Sequence, residues 1–351
     1  MIMALDPVTK RPGSCLPVSR AATVIYCVLK RRGRPGGSVL VPANLCWAAI
    51  LPIRYAGMNP RFCDVDPDTG NVTVETVRQA LRDPLPEAMI LPHMYGNPVR
   101  DLKAIAALCG EKGVLLIEDC ASAMGAEDED GLVGCSGDYV VYSTGHSKTV
   151  DIGFGGLLVS HRNDLAAEAD IEAGLPPLTE EAEREEMFFS RMYRLIRNQG
   201  EGTKLAKAVY TGMGEALRPS LLNRISEERK RLIVDALTDL PEIIRRRREA
   251  VQTYEAGLVF SSGIRRYLYG EGAVPWRFNL LVEDESLRKR LIQRCLSENL
   301  PVSDWYPVSA RMFGEDACYP GAEAHEKRIV NFPLLIPEAE IQEICRIVNE
   351  T

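Results

Sequence analysis

A chain of 351 residues, 46% hydrophobic and 26% charged, has the makeup of a soluble globular protein with room for a large domain and a smaller one. Its formal net charge of −7 gives no pull toward nucleic acid or an anionic membrane, and no apolar run reaches the roughly 18–20 residues that span a bilayer. The opening MIMALDPVTKRPGSCLP lacks the apolar core of a signal peptide, and the ten cysteines are scattered without a C-x-x-C pair, so the expectation is a cytoplasmic protein with reduced, mostly buried thiols and neither a disulfide framework nor a metal site.

From about residue 19 to 160, short apolar runs alternate with helical patterns. SVLVP (38–42) reads as a strand, Leu45–Gly57 as a helix, RFCDV (61–65) as a strand and Val72–Leu81 as a helix. AMILPH (88–93) is a strand, Leu102–Cys109 a helix and GVLLIED (113–119) a strand, followed by the strands DYVVYS (138–143) and GGLLVS (155–160). Continuous apolar strands separated by helices predict an α/β domain with a mainly parallel sheet covered on both faces. Past residue 160 the pattern turns helical, acidic at EEAEREE (180–186), with a long helical stretch from Glu227 to Val259. Within it, Arg245–Arg248 reads as a solvated face near Glu242 and Glu249 rather than as a nucleic-acid patch. The tail reads as strand (VPWRFNLLV, 274–282), helix (Glu285–Asn299), short strand (PVSDW, 301–305), loop and helix (Glu338–Asn349). The chain therefore divides into a large domain over 1–225 and a smaller α+β domain over 226–351, with the long helix at its start.

In open parallel sheets, ligands bind beyond the carboxyl ends of the strands. The polar residues there are Asn44, His93, Tyr95, Glu118, Asp119 and Ser143, with Lys148 five residues further on in YSTGHSKTVDIGFGG. A carboxylate ending an apolar strand is costly unless it meets a cation or a donor, which singles out Asp119; capping the turn that follows is the plainer role. Ser143 and Thr144 suit a turn as well as a ligand, and a lone lysine before glycines is ordinarily a surface residue. His146 is the competing acid–base group, but no Ser/His/Asp constellation surrounds it. GFGG (153–156) leads into a strand, so it is neither a Rossmann nor a P-loop fingerprint.

Taken together, the blocks from about residue 17 to 349 resemble the DegT/StrS group of pyridoxal-phosphate (PLP) dependent sugar aminotransferases. MILPHMYGNPVRDLKAI is similar to that group's P-V-H-x-Y-G segment, and LLIEDCASAMGA to its I-E-D-x-A-Q-x-x-G-A. GLVGCSGDYVVYSTGHSKTVDIGFGGLLVS keeps its serine, lysine and Gly-Gly in register, and NRISEERKRLIV resembles its N-Y-R-M segment and the helix after it. The resemblance implies the aspartate-aminotransferase fold, fold type I, and a homodimer with shared active sites. It places Lys148 on the Schiff-base lysine, Asp119 on the partner of the pyridinium nitrogen and Ser143 on the phosphate-binding hydroxyl. Arg20 and Ala21 fall on the backbone amides that meet the phosphate.

Four positions depart from the group. Ser122 replaces its Gln or His; Cys46 holds the place of its stacking aromatic, with Trp47 one residue on; Leu222 holds the place of the asparagine that reaches the partner's phosphate, with Asn223 and Arg224 following; Phe154 replaces a glutamate. Ser122, Trp47 and Asn223 thus join the cofactor-binding candidates, with Cys46 the alternative to Trp47. The implied activity is transfer of an amino group, with glutamate the expected donor, to a ketone of a nucleotide-linked deoxysugar. A cyclitol or other natural-product ketone is the alternative acceptor, and a non-catalytic PLP-binding regulator the third reading.

Overall fold

The computed structural model describes residues 2–82, 84–199, 204–260, 263–315 and 317–351. Two antiparallel strands open it, β1 (Met3–Leu5) and β2 (Pro12–Val18). Neither was expected, because Pro12, Gly13 and Pro17 carry poor strand propensity. The predicted alternation follows: α1 (Ala21–Arg32), β3 (Ser38–Pro42), α2 (Trp47–Tyr55), β4 (Asn59–Cys63), α3 (Val74–Ala80), β5 (Ala88–Pro92), α4 (Leu102–Lys112) and β6 (Leu115–Asp119). A small hairpin, β7 (Glu127–Asp128) and β8 (Gly131–Leu132), precedes β9 (Tyr139–Ser143) and β10 (Gly156–Ser160).

Eight strands form one sheet in the order β1-β2-β10-β9-β6-β5-β3-β4. The five from β9 to β4 are parallel, and β10 runs antiparallel between β9 and β2. Strands such as β5 and β9 are buried at every residue, which is why they read as unbroken apolar runs. Parallel strands bring their carboxyl ends to one edge, so Asn44, His93, Asp119 and Ser143 gather there.

The helical region comprises α5 (Ala166–Ala173), α6 (Glu180–Gln199), α7 (Lys204–Ala216), α8 (Arg218–Leu221), α9 (Glu227–Ala236) and α10 (Leu240–Gly257). The helical pattern read to residue 200 is followed to Gln199; position 200 lies outside the described residues. The single long helix expected from Glu227 to Val259 is two helices joined by a 3-10 turn at Leu237–Asp239. Pro241 sits in the first turn of the second, where its missing N–H costs nothing. Three further strands, β11 (Ile264–Arg266), β12 (Phe278–Val282) and β13 (Ile329–Phe332), form an antiparallel sheet flanked by α11 (Glu285–Ser297), α12 (Pro320–Arg328) and α13 (Glu338–Glu350). The strand expected at 301–305 is reduced to one bridge, Ser303 to Asn331.

Two of the cores meet along α9 and α10. Ile233, Leu237 and Leu240 pack with Val140, Tyr142 and Leu157 of the large sheet. Ala250, Tyr254 and Leu258 pack with the small sheet, where Tyr254 stacks on Phe278 at 4.5 Å. Helix α10 thus runs from one core to the other and past the edge where the polar residues collect. Among the described residues, no helix is long and apolar enough to cross a membrane.

Candidate active site

The loop from Thr144 to Gly155 carries Lys148 across the sheet edge. Asp151 closes it from within, accepting from the Ser147 amide at 2.7 Å and the Gly153 amide at 3.0 Å. Gly155 has a φ of +99°, and a Cβ there would meet Thr144 Oγ1, so only glycine fits. From the second half of the chain, Trp276 donates to the Ser147 carbonyl, and Arg247 donates to Lys148 O at 2.9 Å and Thr149 O at 3.3 Å. Arg247 is 6% exposed and also reaches Trp276 O at 2.9 Å. The solvated face expected over Arg245–Arg248 therefore holds for Arg245, which pairs with Glu242 and Glu249, and fails for Arg247.

Lys148 points inward, its Nζ donating to Ser122 Oγ at 3.2 Å. Burial opposes its charge, but Tyr306, Cys46 and Asp119 face it and raise its pKa above the usual lysine value. Asp119 is 7% exposed, and its Oδ1 accepts from the Ala121 amide at 2.9 Å. Burial raises its pKa, against the Ala121 amide, Lys148 and His93. The turn role weighed for Asp119 is thus present, and the Lys148 charge lies near enough to act on it. Tyr306 joins from the loop after Ser303, sharing a hydrogen bond with Ser122; burial pushes its phenol upward and Lys148 pulls it down. Its backbone amide donates to Tyr95 Oη at 2.9 Å. Because Pro67 O takes the His325 Nδ1 proton, Tyr95 Oη donates to His325 Nε2, at 3.0 Å.

Glu118, the residue before Asp119, is anchored as tightly. The Val99 amide donates to His93 Nδ1, so Nε2–H donates to Glu118, at 3.1 Å. Gly134, Ser136 and Gly137 amides supply three more bonds, and these donors outweigh burial and hold the Glu118 pKa low. His93, Glu118 and Cys120 offer their ligand atoms within 4.8 Å of one another, but these hydrogen bonds already use His93 and Glu118. The cluster fixes the end of β6 instead of presenting a metal site.

The phosphate-end candidates lie on the other side of the loop. Ser143 is 5% exposed and pairs in register with Gly156. Arg20 is the N-cap of α1 and makes no side-chain cap bond, leaving the helix amides open toward an anion. A Cβ at Gly156 would come within 2.7 Å of the Ala21 amide nitrogen, so the glycine lets strand and helix end meet. The Arg20 guanidinium itself turns to Glu186, at 2.9 and 2.7 Å. Beside it opens a cleft of about 880 Å³ bordered by Arg20, His146, Phe154, Glu186, Asn223 and Arg224. His146 is 85% exposed at its rim, with Asp151 at 4.0 Å.

Two candidates stand apart from Lys148. Trp47 opens α2 but packs edge-on against Phe189, at 4.9 Å, while Cys46, one residue earlier, faces Lys148 and Asp119. The Asn223 amide turns back onto Pro219 O and Ser220 O within its own chain, whereas Arg224 is exposed. Leu222 is buried, and the Arg229 guanidinium lies 4.9 Å over the Phe154 ring. Sequence reading missed Arg247, Trp276 and Tyr306. Trp276 and Tyr306 lie in stretches read simply as strand and loop, and only the helical phase of Arg247 against Arg245 separated it from its neighbours.

The chain is similar to known proteins over almost all its length. The profile of the DegT/DnrJ/EryC1/StrS aminotransferase family matches residues 14–350. The dTDP-4-dehydro-2,3,6-trideoxy-D-glucose 4-aminotransferase of Saccharopolyspora spinosa is 28% identical over 317 residues, 89% of this chain and 77% of that protein. The L-glutamine:2-deoxy-scyllo-inosose aminotransferase of Streptomyces fradiae is 32% identical over 154 residues, 43% of this chain and 36% of that protein. The crystal structure of the aminotransferase TlmJ from Streptoalloteichus hindustanus has the same fold, with a TM-score of 0.75, 24% identity and coverage of 96% of this chain and 85% of that one. With the family profile spanning both cores and the lysine loop, the chain belongs to the DegT/DnrJ/EryC1/StrS aminotransferase family.

Proposed function

We propose that this aminotransferase binds PLP at Lys148 and moves an amino group from an amino acid, glutamate or a close analogue, to a keto group of a nucleotide-linked deoxysugar. The observation that carries the reading is the inward-pointing, partly buried Lys148 amine, facing Asp119 at the carboxyl edge of the sheet, with an uncapped helix N-terminus and Ser143 nearby. Those residues fit the cofactor: among the described residues Asp119 has no ion pair, and glycine at 156 keeps the α1 amides approachable.

When bound, PLP supplies an electron sink for the electrons released at the amino acid Cα. Asp119 would keep the ring nitrogen protonated, since a buried carboxylate favours a facing cation. Ser143 and the Arg20 and Ala21 amides would hold the phosphate. Lys148 would hold the cofactor, and its amine is the group placed to move the proton at Cα. Ser122 and Tyr306 would orient that amine, Arg247 would fix the backbone behind it, and Cys46, which faces Lys148 and Asp119, rather than Trp47 would be the residue toward the cofactor. The assignment of 1–225 to the cofactor domain and 226–351 to the smaller one is part of the same reading.

A second copy of the chain completes the site in this proposal. Arg224 and the 880 Å³ cleft open outward at the phosphate end; Met187, 59% exposed, lies on the α6 wall of that cleft, and Phe188, 58% exposed, follows it on the same helix. A homodimer would cover them. A cytoplasmic location goes with the same reading. The cyclitol ketone remains the second acceptor class, favoured by Cys46, Ser122 and Phe154 at positions where the group differs and by the likeness to the Streptomyces fradiae enzyme. Loaded protein should lose its visible cofactor band on adding L-glutamate and regain it with the true acceptor. A panel of nucleotide-linked ketosugars and inososes separates the two acceptor classes, and no response to any amino acid would refute both.

A further inference from the structure

Helix α5 carries two buried carboxylates, Glu168 and Glu172, 1% and 2% exposed. A buried carboxylate is costly unless it finds donors, so the partners of each show what it holds. Glu168 accepts from Tyr139 Oη at 3.0 Å, within the large sheet. Glu172 instead reaches across 53 and 58 residues of sequence, one oxygen accepting from the Ile225 amide at 3.0 Å and the other from Lys230 Nζ at 3.3 Å. Lys230 is 6% exposed and lies near the start of α9, where Glu227 pairs with it as well, at 3.1 Å. Burial opposes the ammonium charge, but the two glutamates outweigh it and raise the Lys230 pKa.

The residues just before α9 are tied down through their backbone. Thr23 Oγ1 donates to Leu221 O at 3.0 Å, Ser19 Oγ donates to Asn223 O at 2.6 Å, and the Arg224 amide donates to Pro176 O at 2.9 Å. The Ser19 carbonyl in turn accepts from the Gly155 amide at 2.7 Å, so these bonds run up to the phosphate-end candidates beside Arg20. The Arg224 guanidinium is not tied. It is exposed, borders the cleft of about 880 Å³ and has no ion pair among the described residues, whereas Arg20 on the same cleft is forked onto Glu186. A buried ion pair adds little net stability over apolar packing of the same volume. A guanidinium on a fixed backbone, however, loses less freedom on meeting an anion than one on a mobile loop.

We infer that Glu172 is a positioning residue for the phosphate site: by holding the Ile225 amide and the Lys230 ammonium, it aims Arg224 at the cofactor phosphate of the homodimer. Glu172 itself is too deeply buried to touch cofactor or substrate and acts through Arg224. The inference rests on the reading of the protein as a PLP-binding homodimer in which Arg224 meets the phosphate.

The test compares PLP with pyridoxal, which keeps the aldehyde and lacks the phosphate. Protein stripped of cofactor is titrated with each and followed by imine absorbance, with the oligomeric state of every variant checked by sedimentation. Arg224→Gln is expected to weaken PLP about tenfold, the loss of one charged hydrogen bond, and to leave pyridoxal within about twofold. Glu172→Gln should weaken PLP about fivefold or more, spare pyridoxal, and add less than about twofold when Arg224 is already replaced. Ser19→Ala removes one bond to the segment without unpairing a buried charge, so it folds more readily and should shift PLP in the same direction. If Glu172→Gln and Ser19→Ala both bind PLP within about twofold of native, the inference is wrong. A loss shared equally by PLP and pyridoxal, or a change of oligomer, makes Glu172 a structural residue only and overturns it as well. If Arg224→Gln spares PLP in a protein that forms the imine at Lys148, the inference falls while the cofactor reading stands. A native protein that forms no imine with either aldehyde sinks the cofactor reading and the inference with it.

Discussion

Replacing Arg247 with methionine tests whether helix α10 holds the lysine loop in place. The side chain makes two short bonds to buried backbone, Lys148 O and Trp276 O, each at 2.9 Å, and two longer ones to Thr149 O and Pro275 O, each at 3.3 Å. Hydrogen bonds from a charged donor contribute about 1.5–3 kcal/mol each, and buried carbonyls left unpaired add their own cost. Counting only the short pair, and crediting methionine with the packing of the aliphatic stem, the loss is about 3–5 kcal/mol. For a chain of 351 residues that corresponds to a Tm lower by roughly 5–10 °C at about 2 °C per kcal/mol. Differential scanning calorimetry of native, Arg247→Lys and Arg247→Met proteins measures it, with lysine falling between because it keeps charge but loses the fork. The loosened loop should also raise the rate at which PLP dissociates. A methionine variant that melts within about 2 °C of native and holds PLP as long would refute the clamp.

Asp119→Asn should retain the fold and bound PLP but slow the glutamate half-reaction at least ~10–100-fold in single-turnover stopped flow, because an amide cannot hold the ring proton; a rate within twofold of native would reduce Asp119 to its turn bond with Ala121. Gly155→Ala should express poorly or lose PLP affinity, measured by equilibrium dialysis, since a Cβ at a φ of +99° also strikes Thr144 Oγ1. The hydrogen bonds that His161 gives to Asp6 and to Cys135, in that order, raise its pKa to about 10. A histidine whose folded pKa is raised gives its full stabilisation below about 6.5, the unfolded value, and loses it as pH climbs toward 10. The Tm should accordingly fall across that window, and Asp6→Asn should flatten the fall; parallel profiles for the two proteins would exclude the pair.

The legible parts of this molecule were those written locally. Asp119, Ser143 and Lys148 sit at or just beyond the ends of apolar strands, where the sheet edge must expose polar groups, and their spacing is fixed by strand length and one loop. Strands such as β3, β5, β6 and β9 were readable because they are buried on both faces. What escaped notice depends on contacts between distant segments. Tyr306 meets Lys148 only because Tyr95 and His325 hold its backbone, a link across 211 residues of sequence. Arg247 lies in a run of four arginines, and nothing short of the packing of α10 against the lysine loop distinguishes it from Arg245. Trp47 looked apt for stacking on a cofactor by its chemistry, but the start of α2 points Cys46 inward and sends Trp47 to Phe189. Asn223 is occupied by its own turn for a similarly local reason, its amide reaching back three and four residues.

The central claim is that Lys148 carries the cofactor, and covalent trapping tests it most directly. The native protein, incubated with PLP, reduced with borohydride and digested, should yield one modified peptide, SKTVDIGFGG in its sequence context, with the added mass on Lys148. Lys148→Ala should fold, as judged by circular dichroism, and give no modified peptide. Stoichiometric label on another lysine in the native protein, or label persisting in the alanine variant, would contradict the account.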